Sequence, residues 1–367
     1  MKVIYDCQIF AAQEFGGISR YVCSLASQMS GFSGVEARIV APIHINGHLK
    51  SIDSGIAVGC HVRRLPKTSR MIKAVSAALC GPIASALRPD LVHETYYAQQ
   101  SPCRSKVPHV LTVYDMIEER FPASFPDGYP VARLKRAAVN RADHVFCISE
   151  NTRRDLMDLY RLGPDRISVT YLGYDQLPVT GLTASDLVGE SPYILHVAGR
   201  HGYKNFEGLL RAYAASGWLK SHFRIVCFGA APFSLLERSL FAQLGLPEEK
   251  VTHCGGSDER LAALYKGAAV LVYPSKYEGF GIPPLEAMSQ DCPVICSSSS
   301  SIPEVVGNAG EYFDADEPDS IRAAMEKVLQ SPERRNELVL LGRDRCKLFT
   351  WTRCAQETLD VYRRLAA

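Results

Sequence analysis

The 367-residue sequence has no C-x-x-C pair, no apolar run long enough to cross a bilayer, and a net charge of only +2. Each lack excludes something. The twelve cysteines are scattered, and several (Cys147, Cys227, Cys296) sit inside apolar strand-like runs. They read as reduced, buried cytosolic thiols and not as a disulfide framework, since a chain of this size builds a core without staples. The uncharged apolar stretch Ala74 to Leu87 is broken by Gly81-Pro82 and falls short of the roughly 20 residues a spanning helix needs. The opening MKVIYDCQIF reads as a first strand and not as a signal peptide. Near-neutral charge argues against a dedicated nucleic-acid binder. With 47% apolar and 22% charged residues, the composition is that of ordinary globular domains and excludes disorder, collagen and coiled coil as the main architecture.

The charge that is present is unevenly spread. Residues 1–178 hold 21 Lys+Arg against 16 Asp+Glu, and residues 179–367 hold 20 against 23. The excess gathers between His61 and Arg88, where Arg63, Arg64, Lys67, Arg70, Lys73 and Arg88 meet no acid and Met71, Ile72, Val75 and Leu79 recur at helical spacing. Such a segment reads either as a solvated helix with one core face or as a peripheral contact with the anionic inner membrane surface.

Short β-rich runs alternate with helical stretches along the whole chain, which calls for an α/β architecture of parallel sheets covered on both faces. The rhythm breaks at Asp175–Pro192, which is rich in Pro, Gly, Ser and Thr and predicts a linker. Two doubly wound, Rossmann-like domains of similar size are expected, at 1–178 and 193–350. A linker at 179–192 joins them, and a C-terminal helix at 351–367 crosses back to the first domain. Ligands of doubly wound sheets bind at the carboxyl ends of the strands.

Three constellations carry chemistry. The first is Tyr277-Glu278-Gly279-Phe280-Gly281-Ile282-Pro283-Pro284-Leu285-Glu286. Its glycines free the backbone to approach a ligand, and a helix opening near Pro284 offers N–H donors to a phosphate. Glu286, expected in that helix's first turn, could accept ribose hydroxyls. The second is Gly199-Arg200-His201-Gly202-Tyr203-Lys204, two permanent cations beyond a strand end, where a diphosphate could be gripped. The third is Phe15-Gly16-Gly17-Ile18-Ser19-Arg20, a glycine turn that on its own signals little. The pair Asp314-Ala315-Asp316 has the D-x-D spacing of a metal site but reads as a solvated turn before a helix at Ser320, so no metal is expected.

With F-G-G-I-S-R-Y (15–21), H-E-T-Y-Y (93–97), T-V-Y-D-M (112–116), C-I-S-E-N-T (147–152), G-R-H-G-Y-K-N (199–205) and Y-E-G-F-G-I-P-P-L-E-A-M (277–288), the chain resembles, over essentially its whole length, the retaining nucleotide-sugar glycosyltransferases of family 4. The similarity is to the mannosyltransferase-like branch that builds O-antigen and other surface polysaccharides. The resemblance implies the GT-B fold, two Rossmann-like domains facing a central cleft. It implies that Arg200 and Lys204 hold the donor diphosphate and Glu278 faces the hexose. It assigns the donor ribose to Glu286 and backbone contacts to Gly279, Phe280, Gly281, Ile282 and Pro283, with Gly17 packing on the phosphate. Arg20, His93, Tyr96, Tyr97 and Asp115 fall on the acceptor side, Asp115 with a catalytic role beside Arg200, Lys204 and Glu278. Relatives carry histidine before that aspartate, where this chain has Tyr114. His93 is the nearest candidate for a similar cleft position, and its alternative is a hydrogen-bonded structural residue.

The implied partners are a nucleotide-sugar donor, GDP-mannose first and UDP-sugars second, and a glycan or lipid-linked glycan acceptor, with no cofactor and no nucleic acid. The expected location is cytoplasmic, with or without a peripheral place at the inner membrane face. A GT-B-type phosphorylase or isomerase and a non-catalytic sugar-nucleotide-binding scaffold are the rival readings; release of free nucleoside diphosphate separates transferase from scaffold.

Overall fold

The β-rich runs assemble into two wholly parallel sheets in the computed structural model of the chain, which describes residues 1–367 except Val179 and Ala230. The first sheet contains β1 (Lys2–Tyr5), β2 (Glu36–His44), β3 (Ala57–His61), β4 (Leu91–Glu94), β5 (His109–Val113), β6 (His144–Cys147) and β7 (Ile167–Val169), in the order β3-β2-β1-β4-β5-β6-β7. The second contains β8 (Tyr193–Val197), β9 (Arg224–Phe228), β10 (Val251–Cys254), β11 (Val270–Tyr273), β12 (Val294–Ser297) and β13 (Gly310–Phe313), in the order β10-β9-β8-β11-β12-β13. Each order reverses once, after β1 in the first sheet and after β8 in the second, the mark of a doubly wound α/β fold.

The inner strands form because their side chains are apolar on both faces. Every residue of β4, β5, β6, β8, β11 and β12 is buried, as helices on both sides of a parallel sheet require. Two of the edge strands, β3 and β13, escape the sequence reading, because an edge strand need not be apolar throughout. In β3, Cys60 is exposed, and a Cβ on Gly59 would meet the Ala41 carbonyl oxygen at 1.8 Å. β13 begins on a glycine and carries Glu311 and Tyr312.

One compact unit comprises Met1–Gly173 with Thr350–Ala367, the other Tyr174–Phe349. The expected 178/179 boundary and 179–192 linker therefore fall inside the second unit. Val179 lies outside the described residues. Beyond it, Thr183 and Asp186 form a capping box that starts the short helix Ala184–Val188. A Cβ on Gly267 would meet Ala184 Cβ at 2.3 Å, so this segment is packed structure and not a spacer.

The helix Trp351–Ala366 belongs to the first unit. It starts at Thr350, whose hydroxyl accepts the Arg353 N–H, and buries Cys354, Ala355, Thr358, Leu359, Val361 and Tyr362. Trp351 tilts against Tyr21, with ring centroids 6.2 Å apart. Only glycine fits at 173, since a Cβ there would sit 2.3 Å from the Trp351 nitrogen. Among the described residues no helix is long and apolar enough to cross a membrane, and eleven of the twelve free cysteines are buried.

Candidate active site

Where a sheet's strand order reverses, the loops leaving neighbouring strands diverge and open a crevice beyond the carboxyl ends. In the second unit this point lies between β8 and β11. From β8 the chain runs through Gly199–Lys204 into the helix Phe206–Ala214, and from β11 through Pro274–Gly281 into the helix Ile282–Ser289. The two loops are stitched together. Lys204 Nζ donates to Glu278 Oε1 and Oε2 at 2.8 and 2.9 Å, and the Lys276 N–H donates to the Tyr203 carbonyl at 2.7 Å. Asn205, in the left-handed region at φ 55° that asparagine tolerates, donates from Nδ2 to Pro274 O at 3.2 Å and Ala315 O at 2.7 Å.

The two glutamates are held by groups distant in sequence. The Glu278 N–H donates to Ser300 Oγ at 2.8 Å, and Ser301 Oγ donates to the carbonyls of Glu278 and Phe280 at 2.8 and 2.9 Å. Tyr265 OH donates to Glu286 Oε2 at 3.1 Å, and the buried Tyr273 lies near the Glu278 carboxylate. Burial, with the adjacent carboxylates, pushes both phenols well above the ordinary tyrosine range, so they stay protonated donors. Gly281 sits at φ 116°, which favours glycine, and starts the helix at Ile282, with Pro283 suited to its first turn. Glu286 therefore stands in the second turn, not the first as expected, because the helix opens two residues before Pro284. The Phe280 ring packs edge-on against Phe349 at 5.7 Å, so that side chain belongs to the core.

Arg200 departs from its expected place beside Lys204 at the surface. Its Nε donates to Glu237 Oε1 and its Nη2 to Ala231 O, both at 2.6 Å, and the guanidinium lies 4.8 Å from the Phe233 ring centroid. The side chain is 6% exposed, against 18% for Lys204. The reason is local: the helix Leu235–Gln243 presents Glu237 from its capping box with Ser234, and a guanidinium satisfies a carboxylate, a carbonyl and an aromatic face together.

The D-x-D pair forms a turn. Asp314 Oδ1 accepts the Asp316 N–H at 2.9 Å, and Asp316 pairs with Lys276. The following helix starts at Pro318. Among the described residues no three His, Cys, Asp or Glu side chains are grouped to hold a metal.

In the first unit the reversal lies between β1 and β4. Asp6, just past β1 and fully buried, accepts the Thr95 N–H at 3.0 Å, the Thr95 hydroxyl at 2.6 Å, the Gln8 N–H at 3.1 Å and Gln8 Nε2 at 2.7 Å. Burial raises its carboxyl to about 6. Asp6 and its partners went unnoticed in the sequence. So did Lys135, a fully buried lysine that donates to Asp115 O at 2.9 Å, Glu118 Oε2 at 2.8 Å and Glu119 Oε2 at 2.9 Å. It fixes the segment that carries Asp115, whose own carboxyl is raised by burial.

Tyr96 and Tyr97 stack at 4.6 Å, and Tyr97 OH accepts the Tyr114 N–H at 3.2 Å. Tyr114 is buried and donates to Thr95 O at 3.1 Å. Tyr96, Tyr97, Tyr129, Gln8, Gln13 and Lys73 line part of a cavity of about 600 Å³. Gly17 opens the helix Gly17–Ser30 with open space around it, and Arg20 lies in the same helix.

His93 is not available to a ligand. It lies within β4, opposite Val110 of β5, and is 1% exposed. Nδ1 is 2.5 Å from Tyr362 OH and Nε2 2.9 Å from Thr112 Oγ1. Burial lowers its pKa to about 3, so it stays neutral. It is the hydrogen-bonded structural residue of the two alternatives, because it lies inside the strand with a hydroxyl on each ring nitrogen.

The family model for glycosyl transferases group 1 matches residues 183–345, and that for glycosyltransferase family 4 matches residues 15–176. The chain belongs to the family 4 glycosyltransferases. It is 29% identical over 264 residues to the O-antigen chain mannosyltransferase B of Escherichia coli, covering 65% of this chain and 67% of that one. It is 39% identical over 246 residues to the MMP alpha-(1->4)-mannosyltransferase of Mycolicibacterium hassiacum, covering 65% of this chain and spanning 58% of the relative's length. A sucrose-phosphate synthase structure from Thermosynechococcus elongatus superposes with a TM-score of 0.76 at 18% identity, over 99% of this chain and 98% of that one. The two-unit α/β architecture is thus the GT-B fold of this glycosyltransferase family.

Proposed function

We propose that this family 4 enzyme is a retaining transferase that moves a hexose, mannose from GDP-mannose first, onto a glycan growing on a lipid carrier in O-antigen or related surface-polysaccharide assembly. The carrying observation is the Lys204–Glu278 pair at 2.8 Å beside Glu286, at the point where the second sheet's order reverses. The names of the curated relatives support mannose and O-antigen as the first choice.

The chemistry follows from charge. As the bond from the anomeric carbon to the leaving diphosphate breaks, negative charge grows on phosphate oxygens. Lys204 and the N–H groups opening the Ile282–Ser289 helix bind that charge more strongly in the transition state than in the ground state. Lys204 then shares its ammonium between Glu278 and the diphosphate. Glu278 accepts hydroxyl hydrogen bonds from the hexose, and Glu286, oriented by Tyr265, accepts those of the ribose. Arg200 works as a positioning residue, holding the loops at Gly229 and Ala231 through its own hydrogen bonds. Retention results from front-face attack: the acceptor oxygen bonds to the anomeric carbon while the leaving phosphate oxygen takes its proton, without a protein nucleophile or a metal. Asp115, Tyr96 and Tyr97 serve the acceptor.

Two measurements test this. Adding GDP-mannose and acceptor should release GDP, and GDP should raise the melting temperature more than UDP or ADP, since a ligand that binds the folded state stabilises it by mass action. A UDP preference moves the donor to a UDP-sugar. Nucleotide binding without release under any donor–acceptor pairing leaves a sugar-nucleotide scaffold and overturns the transferase.

A further inference from the structure

Residues 297–301 are five consecutive serines, running from the last residue of β12 to the start of the helix Ile302–Val306. The run lies against the loop 274–281 that carries Glu278, and its hydroxyls share out the backbone of that loop. Ser297 Oγ donates to Ser275 O at 2.5 Å, and Ser301 Oγ donates to Glu278 O and Phe280 O at 2.8 and 2.9 Å. Ser300 Oγ works in the other sense and accepts the Glu278 N–H at 2.8 Å. Serine serves both ends of a peptide group because its hydroxyl is donor and acceptor at once. Ser297 and Ser301 are fully buried, and Ser300 is half-buried.

The conformation of Ser300 is the second observation. It stands at φ 53°, in the left-handed region. A side chain is strained there, glycine is not, and asparagine tolerates it better than most residues. A position that had only to turn the chain would be best filled by glycine. What glycine could not supply is the oxygen that takes the Glu278 N–H. The loop itself contains Gly279 and Gly281, whose backbone freedom leaves a neighbouring carboxylate poorly aimed unless something outside the loop fixes it.

We infer that Ser300 is a positioning residue for the transfer reaction, with Ser301 securing the carbonyl side of the same residue: together they pin Glu278 by its N–H and its C=O, so that its carboxylate is aimed before the hexose arrives. The inference rests on the reading of Glu278 as the group that faces the hexose. With the backbone pinned and the carboxylate bonded to Lys204 Nζ, Glu278 is held at both ends. A group held in this way has little freedom left to lose in the transition state, where a small misplacement costs rate. If the serines merely satisfied buried backbone, their loss would appear in stability and leave turnover alone. The left-handed backbone separates the two roles. Replacing Ser300 by glycine removes hydroxyl and strain together, so stability feels two opposing effects and catalysis only one.

The test is Ser300→Gly in the full chain. Its melting midpoint should stay within about 3 °C of wild type, as relieved strain offsets the lost hydrogen bond. Hydrogen exchange in 275–281, read by mass spectrometry with no sugar nucleotide present, should quicken about fivefold, the fold-change of one hydrogen bond. The kcat should fall on the order of 10-fold, with the donor KM changed by less than about twofold. Ser300→Asn, which brings an acceptor oxygen on a residue suited to left-handed backbone, should recover part of both effects. Exchange or turnover as in wild type for Ser300→Gly overturns the inference. A lower kcat that comes only with a marked drop in melting midpoint overturns it too, since the hydroxyl is then structural. A wild type that releases no nucleoside diphosphate sinks the transferase reading instead, and exchange in 275–281, measured without donor, still decides whether Ser300 holds the loop.

Discussion

Replacing Lys135 by methionine removes a fully buried ammonium of similar shape and leaves its partners in place. Nζ makes three hydrogen bonds, two of them to the carboxylates of Glu118 and Glu119. Counted as charge-assisted bonds at about 1.5–3 kcal/mol each, these two alone would give about 3–6 kcal/mol. Two features hold the loss below that ceiling: the Glu118 and Glu119 side chains are 15% and 10% exposed and regain some water, and Glu119 keeps the Tyr160 hydroxyl at 2.5 Å. The expected loss is therefore about 3–5 kcal/mol, the cost of leaving buried charge without its partner. The triple variant Lys135→Met, Glu118→Gln, Glu119→Gln should recover most of it. Trp351 lies in the first unit and Trp218 in the second, so urea unfolding followed by fluorescence in a Trp218→Phe background reads the affected unit alone. A loss under about 1 kcal/mol, or a triple variant no more stable than the single one, would refute the reasoning.

Lys204→Ala should lower kcat/KM by about 100-fold or more through loss of a transition-state charge partner; near-normal turnover removes the residue from the site. Arg200→Ala should in addition destabilise the second unit by about 1–3 kcal/mol, since Glu237 is left without its guanidinium, which thermal or urea unfolding reads directly. His196 in the second unit is held down to about 4 by burial. The unfolded chain therefore binds a proton that the folded unit refuses, and the contribution is complete above about pH 6.5 and lost as pH falls, at about 1.4 kcal/mol per pH unit. Urea midpoints read by Trp218 should drop between pH 6.5 and 4.5, and a flat profile contradicts this. Transfer should survive EDTA; a strict requirement for Mg²⁺ or Mn²⁺, abolished by Asp314→Ala with Asp316→Ala, would bring back the D-x-D pair.

The inner strands were legible because a parallel sheet buried on both faces demands unbroken apolar runs, and the longer helices were legible from their spacing to within a few residues, whereas short ones such as Gln8–Ala12, Ala184–Val188 and Gly217–His222 hold too few turns to show a period. Two of the edge strands, Ala57–His61 and Gly310–Phe313, were not: the first holds Gly59 and the exposed Cys60, the second opens on a glycine and carries Glu311 and Tyr312, and neither makes an apolar run. In the site, Glu278, Gly281 and Glu286 could be found because glycine and proline punctuate a local loop. What escaped depends on contacts far apart in sequence. Glu237 lies 37 positions from Arg200, Lys135 lies 17 and 16 from Glu118 and Glu119, and Thr95 lies 89 from Asp6. Before the fold is known, nothing distinguishes such a lysine or aspartate from a surface one. His93 was misread for a related reason: Tyr362, which occupies one of its nitrogens, is 269 positions away.

That last partner has a consequence for synthesis. The helix Trp351–Ala366, which brings Tyr362 to His93 and Trp351 to Tyr21, leaves the ribosome after the whole of Tyr174–Phe349. The first unit to be translated is thus the last to be completed, while the second is contiguous and can close as soon as it emerges. During that interval Tyr5, Tyr21 and His93 await their cover, and a nascent chain stalled before Thr350 would carry one finished unit and one open to chaperones and proteases.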